Sequence, residues 1–423
     1  MKFMRLIRIT TNYISYLQQF YATYPYLKSK SYELQYRELM GDCFGWSDFW
    51  THALTKLGYE VWEPVSNAEI MQKTWAKEKG FQYNKQTWLT DITKAQVKFF
   101  KPDVLFVDDY STFNKDFLLD LRQSCPSIKL ILGWCGAPYY DASVFLAYDI
   151  VLSNIPELVI DFQKSGHKAK YFRHAFDPRV SIKINELAQK NESIVIPCSF
   201  IGSIFAGKSA HNERAILIQK LIEDVDIAVF SDIYRIRSED VVLIGIKRIV
   251  YDIIKSLSKN HSIREILQQI PKIRAYVESS SRPSLPPQLN STIVNQAKPP
   301  VFGLEMFQSL YNSQVTLNNH IDLSRNSASN MRLFEATGVG TCLVTDWKEN
   351  LYELFEADHE VVTYRSNEEC VEKIKWLLDN PKERKKIAKS GQIRTLRDHT
   401  FDKRAVYLDL IIKETIKDLS TKG

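Results

Sequence analysis

The sequence has few of the features that mark secreted, membrane-spanning or nucleic-acid-binding proteins. Its six cysteines are scattered without a CxxC spacing, which argues against a zinc site or a disulfide framework and indicates a reducing compartment. No apolar run reaches the length of a bilayer span, and the early segment MKFMRLIRITTNYISYLQQF has neither the apolar core nor the cleavage site of a signal peptide. No basic block resembles a nucleic-acid-binding arm. We therefore expect a cytoplasmic protein without a nucleic-acid partner. Whether it acts at the inner face of the membrane stays open.

What is present is the composition of a globular protein. The chain has 423 residues, of which 44% are apolar and 25% are charged. This length is too great for one ordinary core and suits two domains. The net charge of +6 is mild for the length. It permits attraction to phosphates or to an anionic membrane surface, and it requires neither.

Apolar runs and helical patterns alternate along the chain. Lys101–Val107, Lys129–Leu132 and Tyr148–Leu152 each have the pattern of a buried strand, and Pro156–Lys164 has that of a helix. Such alternation predicts a doubly wound parallel sheet, to which ligands bind beyond the carboxyl ends of the strands. This rule places seven residues toward a cleft: Asp108, Asp109, Trp134, Cys135, Gly136, His174 and Asp177.

Two further stretches have helical patterns that are followed by a glycine. Cys43–Leu57 predicts a helix with Ser47 as a cap, and Pro381–Ser390 predicts another that Gly391 interrupts.

The segment Asn330–Asp346, NMRLFEATGVGTCLVTD, combines polar side chains with a helix and a strand. Three side chains that could bind a ligand fall within about one and a half helical turns: Asn330, Arg332 and Glu335. We expect Gly338 and Gly340 to end the helix, because glycine adopts the left-handed conformation at least cost. The following apolar run predicts a buried parallel strand.

This segment resembles the donor-binding segment of glycosyltransferases with the GT-B architecture. It is most similar to the "glycosyl transferases group 1" branch that includes CgeB-like proteins, which share the Asn, the Arg, Phe-Glu-Ala, a small-residue turn and a strand ending near Thr-Asp. The phrases GWCGAP, YDIVLSN, HAFDP and LNNH resemble the same branch. The resemblance implies an α/β GT-B fold, with two facing Rossmann-like domains and a cleft between them. It also implies transfer of a sugar from a nucleotide-diphosphate sugar, without a metal or other cofactor and with retention of the anomeric configuration. The chain departs from retaining relatives at Ser327, where they carry a further glutamate.

The resemblance also implies roles for individual residues. Glu335 would hold the ribose hydroxyls of the donor, since a carboxylate can accept two hydroxyl protons. Arg332 would hold the pyrophosphate through two parallel bonds, or it pairs with Glu335 one turn on. The remaining donor-binding candidates are Gly202, Ser203, Asn318, His320 and Asn330.

Candidates for a catalytic group come from the first domain. Asp48 and His52 are four residues apart on the predicted helix, so they share one face. They could contact the acceptor or serve as a base, or they could form a local side-chain pair. His174 could bond the transferred sugar or its phosphate, or it is a structural histidine.

The predicted domains are 1–178 on the acceptor side and 193–400 on the donor side. A helix at about 404–420 is expected to pack back on the first domain. A helical insertion at about 233–297 has basic amphipathic helices, which could touch a membrane or a partner, or pack on the sheet as a hairpin. The acceptor is unknown: a glycan, a lipid-linked glycan, a protein or a small molecule.

Two alternatives remain open. GSIFAGKS at 202–209 matches the Walker A pattern between a predicted strand and a helix, so a P-loop NTPase or kinase would use Lys208 and Ser209. Its magnesium-binding Asp would come from VDIAVFSD. The second alternative is a non-catalytic GT-B-like protein that binds glycan or serves as a scaffold.

Overall fold

Two parallel sheets organise the chain in the computed structural model, which describes residues 3–139, 141–190, 194–205, 212–233, 235–285, 287–320 and 326–421. The strands of the first sheet are Met4–Ile9 (β1), Tyr59–Trp62 (β2), Val104–Val107 (β3), Leu130–Trp134 (β4), Ile150–Ser153 (β5) and Ala169–Tyr171 (β6). The strands of the second are Ile196–Ile201 (β7), Ile227–Phe230 (β8), Ser313–Asn318 (β9), Cys342–Asp346 (β10) and Val362–Tyr364 (β11).

The strand order of each sheet reverses once, which creates a place for a ligand. The first sheet has the order β2-β1-β3-β4-β5-β6 and the second β11-β10-β9-β7-β8. Order therefore reverses between β1 and β3 and between β7 and β9. In open α/β sheets, ligands bind at such switch points, outside the carboxyl ends of the strands. The predicted α/β class with two doubly wound sheets is confirmed.

The helices of the first half are Ile14–Thr23 (α1), Tyr32–Gly41 (α2), Phe49–Thr55 (α3), Glu69–Glu78 (α4), Trp88–Phe100 (α5), Lys115–Ser124 (α6), Pro156–Lys164 (α7) and Pro178–Lys190 (α8). Those of the second half are Asn212–Asp224 (α9), Ser238–Leu257 (α10), His261–Gln268 (α11), Pro271–Glu278 (α12), Ser291–Gln296 (α13), Gly303–Tyr311 (α14), Arg332–Val339 (α15), Asn367–Asp379 (α16), Pro381–Asp398 (α17) and Phe401–Ser420 (α18). Short 3₁₀ helices cover Pro25–Ser29, Ser143–Ala147 and Leu351–Glu353.

The last helix crosses back to the first sheet's side of the molecule. At its start Phe401 packs edge-on against Phe49 and Trp50, with ring centroids 5.1 and 4.9 Å apart. Further along, Asp409 accepts a hydrogen bond of 2.6 Å from the Tyr59 hydroxyl. The first sheet's core thus continues into the core around α15 and α18 as one buried apolar cluster.

Three helix boundaries predicted from glycine and serine are wrong. α3 begins only at Phe49, because Cys43, Gly45 and Ser47 have positive φ values of 60°, 61° and 44°. Ser47 therefore does not cap the helix, and its hydroxyl donates instead to the Met40 carbonyl at 2.6 Å.

Gly338 and Gly391 lie inside α15 and α17 and end neither helix. A Cβ on Gly338 would lie 2.4 Å from the Phe176 ring, and one on Gly391 would lie 2.3 Å from the Glu360 carbonyl oxygen. Both glycines are thus required by close packing. Gly340 ends α15 as predicted, with φ of 88°.

The insertion in the second domain is helical, formed by α10, α11 and α12. It leaves the sheet after β8 and returns at Lys298, whose amide donates to the Val229 carbonyl at 2.8 Å. Across the described residues, none of the helices is both long enough and apolar enough to cross a membrane.

Candidate active site

A cleft of about 1300 Å³ opens where the carboxyl ends of the two sheets face each other. At the first switch point, Thr10 and Thr11 follow β1 and the Asp108–Asp109 pair follows β3. At the second, Gly202 and Ser203 follow β7 and Asn318 ends β9. Both switch points open into the same cleft, so one ligand could contact both domains.

Glu335 is a buried carboxylate on the wall of this cleft. It lies in the first turn of α15 and is only 7% exposed. Its Oε2 is 2.9 Å from Nη1 of Arg332, three residues earlier on the same helix. Burial raises the pKa of Glu335, and the charge of Arg332 opposes that rise. The carboxylate is therefore held beside a cation at a helix N-terminus, where the helix dipole favours negative charge.

Arg332 is held between α15 and the end of β7. Besides its ion pair with Glu335, it donates from Nη2 to the Ile201 carbonyl at 3.3 Å and contacts the Met306 sulfur. The pairing with Glu335 that the spacing allowed is thus present. The pyrophosphate role of Arg332 stays a prediction, and its guanidinium does line the cleft.

Two predicted amides form a chain along the floor of the donor side. Asn330 donates from Nδ2 to Oδ1 of Asn318 at 2.9 Å, and Asn318 donates to the Thr345 hydroxyl at 2.9 Å. Both asparagines line the cleft. These hydrogen bonds orient both side-chain amides, so the wall of the cleft beside Glu335 is polar and its polar groups are held in place.

His320 lies behind this wall and does not line the cleft. Its imidazole is buried, with Nδ1 at 2.7 Å from Oδ1 of Asp346, and its Nε2 finds no hydrogen-bond partner among the described residues. Burial alone would raise the pKa of Asp346, but His320 and Lys348 hold that pKa low, at about 2. The structure therefore places His320 as a buried neighbour of the site and not at the cleft surface.

Gly202 and Ser203 shape the cleft through their backbone. The Gly202 amide donates to the Phe230 carbonyl at 3.1 Å. The Ser203 carbonyl accepts from Nη1 of Arg214 at 2.9 Å, and Nη2 of Arg214 donates to the Asn319 carbonyl. Arg214 is a buried cation that lines the cleft and ties the two loops of the switch point together. The sequence analysis did not single out Arg214, and the available signal was a cation on the helix face that also carries the buried Leu217, Ile218 and Leu221.

The P-loop alternative depends on Lys208 and Ser209, and both lie outside the residues that the structure describes.

His174 lines the cleft from the first domain. Its ring lies 5.8 Å from that of Trp46 and 5.1 Å from that of Trp134, centroid to centroid. Burial, with a smaller contribution from Arg404, lowers the pKa of His174 to about 3. A neutral imidazole of such low basicity suits hydrogen bonding to a ligand better than proton abstraction at neutral pH.

Asp48 does not line the cleft, and its role as a catalytic group stays a prediction. Its carboxylate accepts from Nη2 of Arg179 at 2.9 Å, and Arg179 is also held by Asp177. The alternative pairing of the Asp48 and His52 side chains is absent as well; only the helical bond from the His52 amide to the Asp48 carbonyl joins them. Asp177 and Cys135, expected at the cleft, do not line it either.

A buried ion network that sequence reasoning missed supports the first domain's side of the cleft. Arg8 on β1 donates from Nε to Glu63 and from Nη1 to Asp108, both at 2.5 Å. Burial raises the pKa of Glu63 and of Asp108, and Arg8 opposes the rise in each. Asp109 beside them accepts from the Ser111 hydroxyl at 2.7 Å. Burial opposes ionisation of Asp109, yet its hydrogen bonds hold its pKa below the usual range. Asp109 is thus an ionised carboxylate at the cleft.

Ser327, which stands where retaining relatives carry a further glutamate, meets a carboxylate from the other domain. Its hydroxyl donates to Oε1 of Glu157 on α7 at 3.0 Å. The second oxygen of Glu157 is buried without a hydrogen-bond partner among the described residues. Neither residue lines the cleft.

Within the described parts of the chain, no three His, Cys, Asp or Glu side chains gather where they could hold a metal ion. Metal independence remains a prediction.

Comparisons with known proteins bear on the class of the molecule. Residues 259–409 match a family model described as glycosyl transferase-like. A search of curated proteins gave no match.

Similar solved structures span the whole chain. They include sucrose-phosphate synthase from Thermosynechococcus elongatus, with a TM-score of 0.53, 8% identity, and coverage of 98% of this chain and 100% of that chain. A glycosyltransferase from Rickettsia africae ESF-5 has a TM-score of 0.52 at 8% identity, with 99% and 100% covered. Anabaena Alr3699/HepE in complex with UDP-glucose has a TM-score of 0.51 at 10% identity, with 97% and 100% covered. At such low identity these structures show the fold, which is GT-B.

The solved structures confirm the predicted GT-B fold. The family match over residues 259–409 agrees with the prediction of a glycosyltransferase. The CgeB-like branch stays a prediction, and neither alternative function is favoured.

Proposed function

We propose that this chain is a glycosyltransferase of the GT-B type, and that it transfers a sugar from a nucleotide-diphosphate sugar to an acceptor without a metal ion and with retention of configuration. One observation carries the proposal: Glu335 is buried in the first turn of α15 and faces the cleft that both sheets line. The structure of HepE with UDP-glucose supports a donor of this class here, because that protein shares the fold.

The donor would lie with its nucleoside against Glu335 and its diphosphate against the start of α15. A carboxylate can accept bonds from two ribose hydroxyls and still keep its neighbouring guanidinium. Asn330, Met331 and Arg332 all line the cleft at the N-terminus of α15. A helix N-terminus and a guanidinium together stabilise the charge that builds on a leaving diphosphate.

The acceptor would enter from the first domain's side. His174 offers a neutral imidazole there, and Asp109 offers an ionised carboxylate. Both line the same cleft as Glu335, so they could hold the hydroxyl groups of the transferred sugar or of the acceptor. The acceptor's identity stays open.

Replacing Glu335 with Gln tests the donor site. The change keeps the shape but loses the charge that strengthens hydrogen bonds to the ribose hydroxyls, so we expect UDP or GDP affinity to fall by at least about tenfold. Titration calorimetry without magnesium gives the affinity. The matched control is Glu383→Gln, because Glu383 also lies in the first turn of a helix of this domain but is exposed and outside the cleft.

Unchanged nucleotide affinity in Glu335→Gln would contradict the proposal. ATP binding that requires magnesium would favour the P-loop alternative, and no binding of any nucleotide would favour a scaffold.

A further inference from the structure

The insertion exposes a continuous apolar stripe. On α10, Val242, Ile246, Ile249 and Ile253 recur at spacings of three and four, so they share one face of the helix. Each of them is more than half exposed. The stripe runs about 16 Å along the helix, and Ile266 on α11 is similarly exposed. Monomeric soluble proteins rarely leave a contiguous apolar face of this kind in water.

The opposite face of α10 is fixed against the protein, which sets the direction of the stripe. Arg248 donates from Nε to the Pro283 carbonyl, and Lys255 donates from Nζ to the Val277 carbonyl, both at 2.8 Å. Ile254 is buried on that face. The helix therefore turns Arg248 and Lys255 inward and the stripe outward, and a rotation that would hide the stripe would break these hydrogen bonds.

The insertion that carries the stripe accounts for most of the chain's net positive charge. Between Arg235 and Arg282 there are ten Lys and Arg against five Asp and Glu, a net of +5 out of +6 for the whole chain. Lys247 is exposed on α10, and Lys259 and Arg264 are exposed just beyond its end. The remainder of the chain is therefore nearly neutral.

We propose that α10 and α11 dock on an anionic membrane surface, with the isoleucine stripe entering the boundary between headgroups and acyl chains. Apolar burial and attraction of Lys and Arg to anionic lipid act together in such binding. The charge argues against a second copy of this chain as the occupant, because two insertions of net positive charge would repel each other.

The segments that join the insertion to the second sheet also line the cleft. Ser231 and Asp232 lead into the insertion and Pro300 to Phe302 lead out of it, and all of these residues line the cleft. Docking would therefore hold the cleft next to the bilayer surface. This inference goes beyond the proposed sugar transfer and does not depend on it.

Vesicle flotation of the full chain tests the proposal. We expect the protein to float with vesicles of phosphatidylcholine and phosphatidylserine, to stay behind with phosphatidylcholine alone, and to be released by salt. Replacing Ile246, Ile249 and Ile253 together with Ser should lower the partition to anionic vesicles by at least about tenfold. The matched control replaces three isoleucines that are half exposed or more elsewhere, Ile160, Ile182 and Ile216, and should float like the wild type.

A charge-reversed variant, K247E with K259E and R264E, keeps the stripe and should also lose binding to anionic vesicles. It serves as a second test if the serine variant does not fold, and circular dichroism reports whether that variant folds.

Three results would overturn the proposal. The wild type could fail to float with anionic vesicles, or the control could lose binding as much as the stripe variant. The wild type could also be a dimer that the three serines convert to a monomer.

Discussion

Replacing Gly338 with Ala should destabilise the protein even though alanine favours helices. Gly338 lies inside α15, where alanine is worth about 1 kcal/mol more than glycine. The added Cβ would lie 2.4 Å from Cγ of Phe176, whereas non-bonded carbons prefer about 3.5–4.0 Å. Phe176 cannot retreat easily, because its amide donates to the His399 carbonyl at 2.9 Å and its carbonyl accepts from the Phe401 amide at 3.1 Å. The contact is also at the ring's attached carbon, which turning the ring does not move.

Overpacking of this kind costs about 1–3 kcal/mol, so we expect Gly338→Ala to lower the free energy of unfolding by up to about 2 kcal/mol. The control is Gly245→Ala in α10. A Cβ there meets nothing within 4 Å, so that change should raise stability by up to about 1 kcal/mol. Because both glycines are inside helices, the helix-propensity gain cancels in the difference between the two variants. That difference isolates the contact with Phe176.

Urea unfolding of both variants gives the two free energies. Shrinking the ring by Phe176→Leu in the Gly338→Ala background should restore part of the loss, since the two positions are in contact. The reasoning is refuted if the two alanines shift stability equally and in the same direction. A shift of α15 would also displace Glu335, so Gly338→Ala should weaken nucleotide binding, which Gly245→Ala should leave unchanged.

Three further outcomes follow from the site. Arg8→Met should lower the free energy of unfolding in urea by about 3–5 kcal/mol, because it leaves two buried carboxylates without their cation. The control is Arg5→Met, three residues earlier on the same strand, where the ion pair is at the surface; it should cost about 1 kcal/mol. The ring of His174 should not titrate by NMR above about pH 5, because its folded pKa is about 3. Because the unfolded state binds this proton more readily than the folded state, the stability that neutral His174 contributes is complete above the unfolded pKa of about 6.5. It is lost as pH falls toward 3. A His174 ring that titrates near pH 6.5 would show that its surroundings do not lower its pKa. Arg214→Met should weaken nucleotide affinity about tenfold by calorimetry, since Arg214 joins the loops that carry Ser203 and Asn319; an unchanged affinity would remove those loops from the donor site.

Much of the architecture could be predicted from sequence because its signals are local. The helix Pro156–Lys164 has the predicted bounds, and it begins with a proline. Parallel strands buried on both faces read as apolar runs, so the α/β class was also visible. The topology rule placed seven residues toward the cleft, and five of them line it: Asp108, Asp109, Trp134, Gly136 and His174. The donor-binding candidates that the resemblance implied line the same cleft at Asn318, Asn330, Arg332 and Glu335.

Contacts between residues far apart along the chain could not be predicted from local patterns. Asp48 is held by Arg179, 131 residues away, and Arg8 by Glu63 and Asp108. Gly338 is fixed by Phe176 and not by the end of a helix. Nor could hydropathy tell which face of α10 would be turned to solvent.

The sequence by itself therefore determined the alternation of elements and the polar residues at the strand ends, because backbone propensity and capping act over a few residues. Only the tertiary structure decided which charges pair, which glycines are packed and which side chains reach the cleft. These depend on distances between segments that no local pattern encodes.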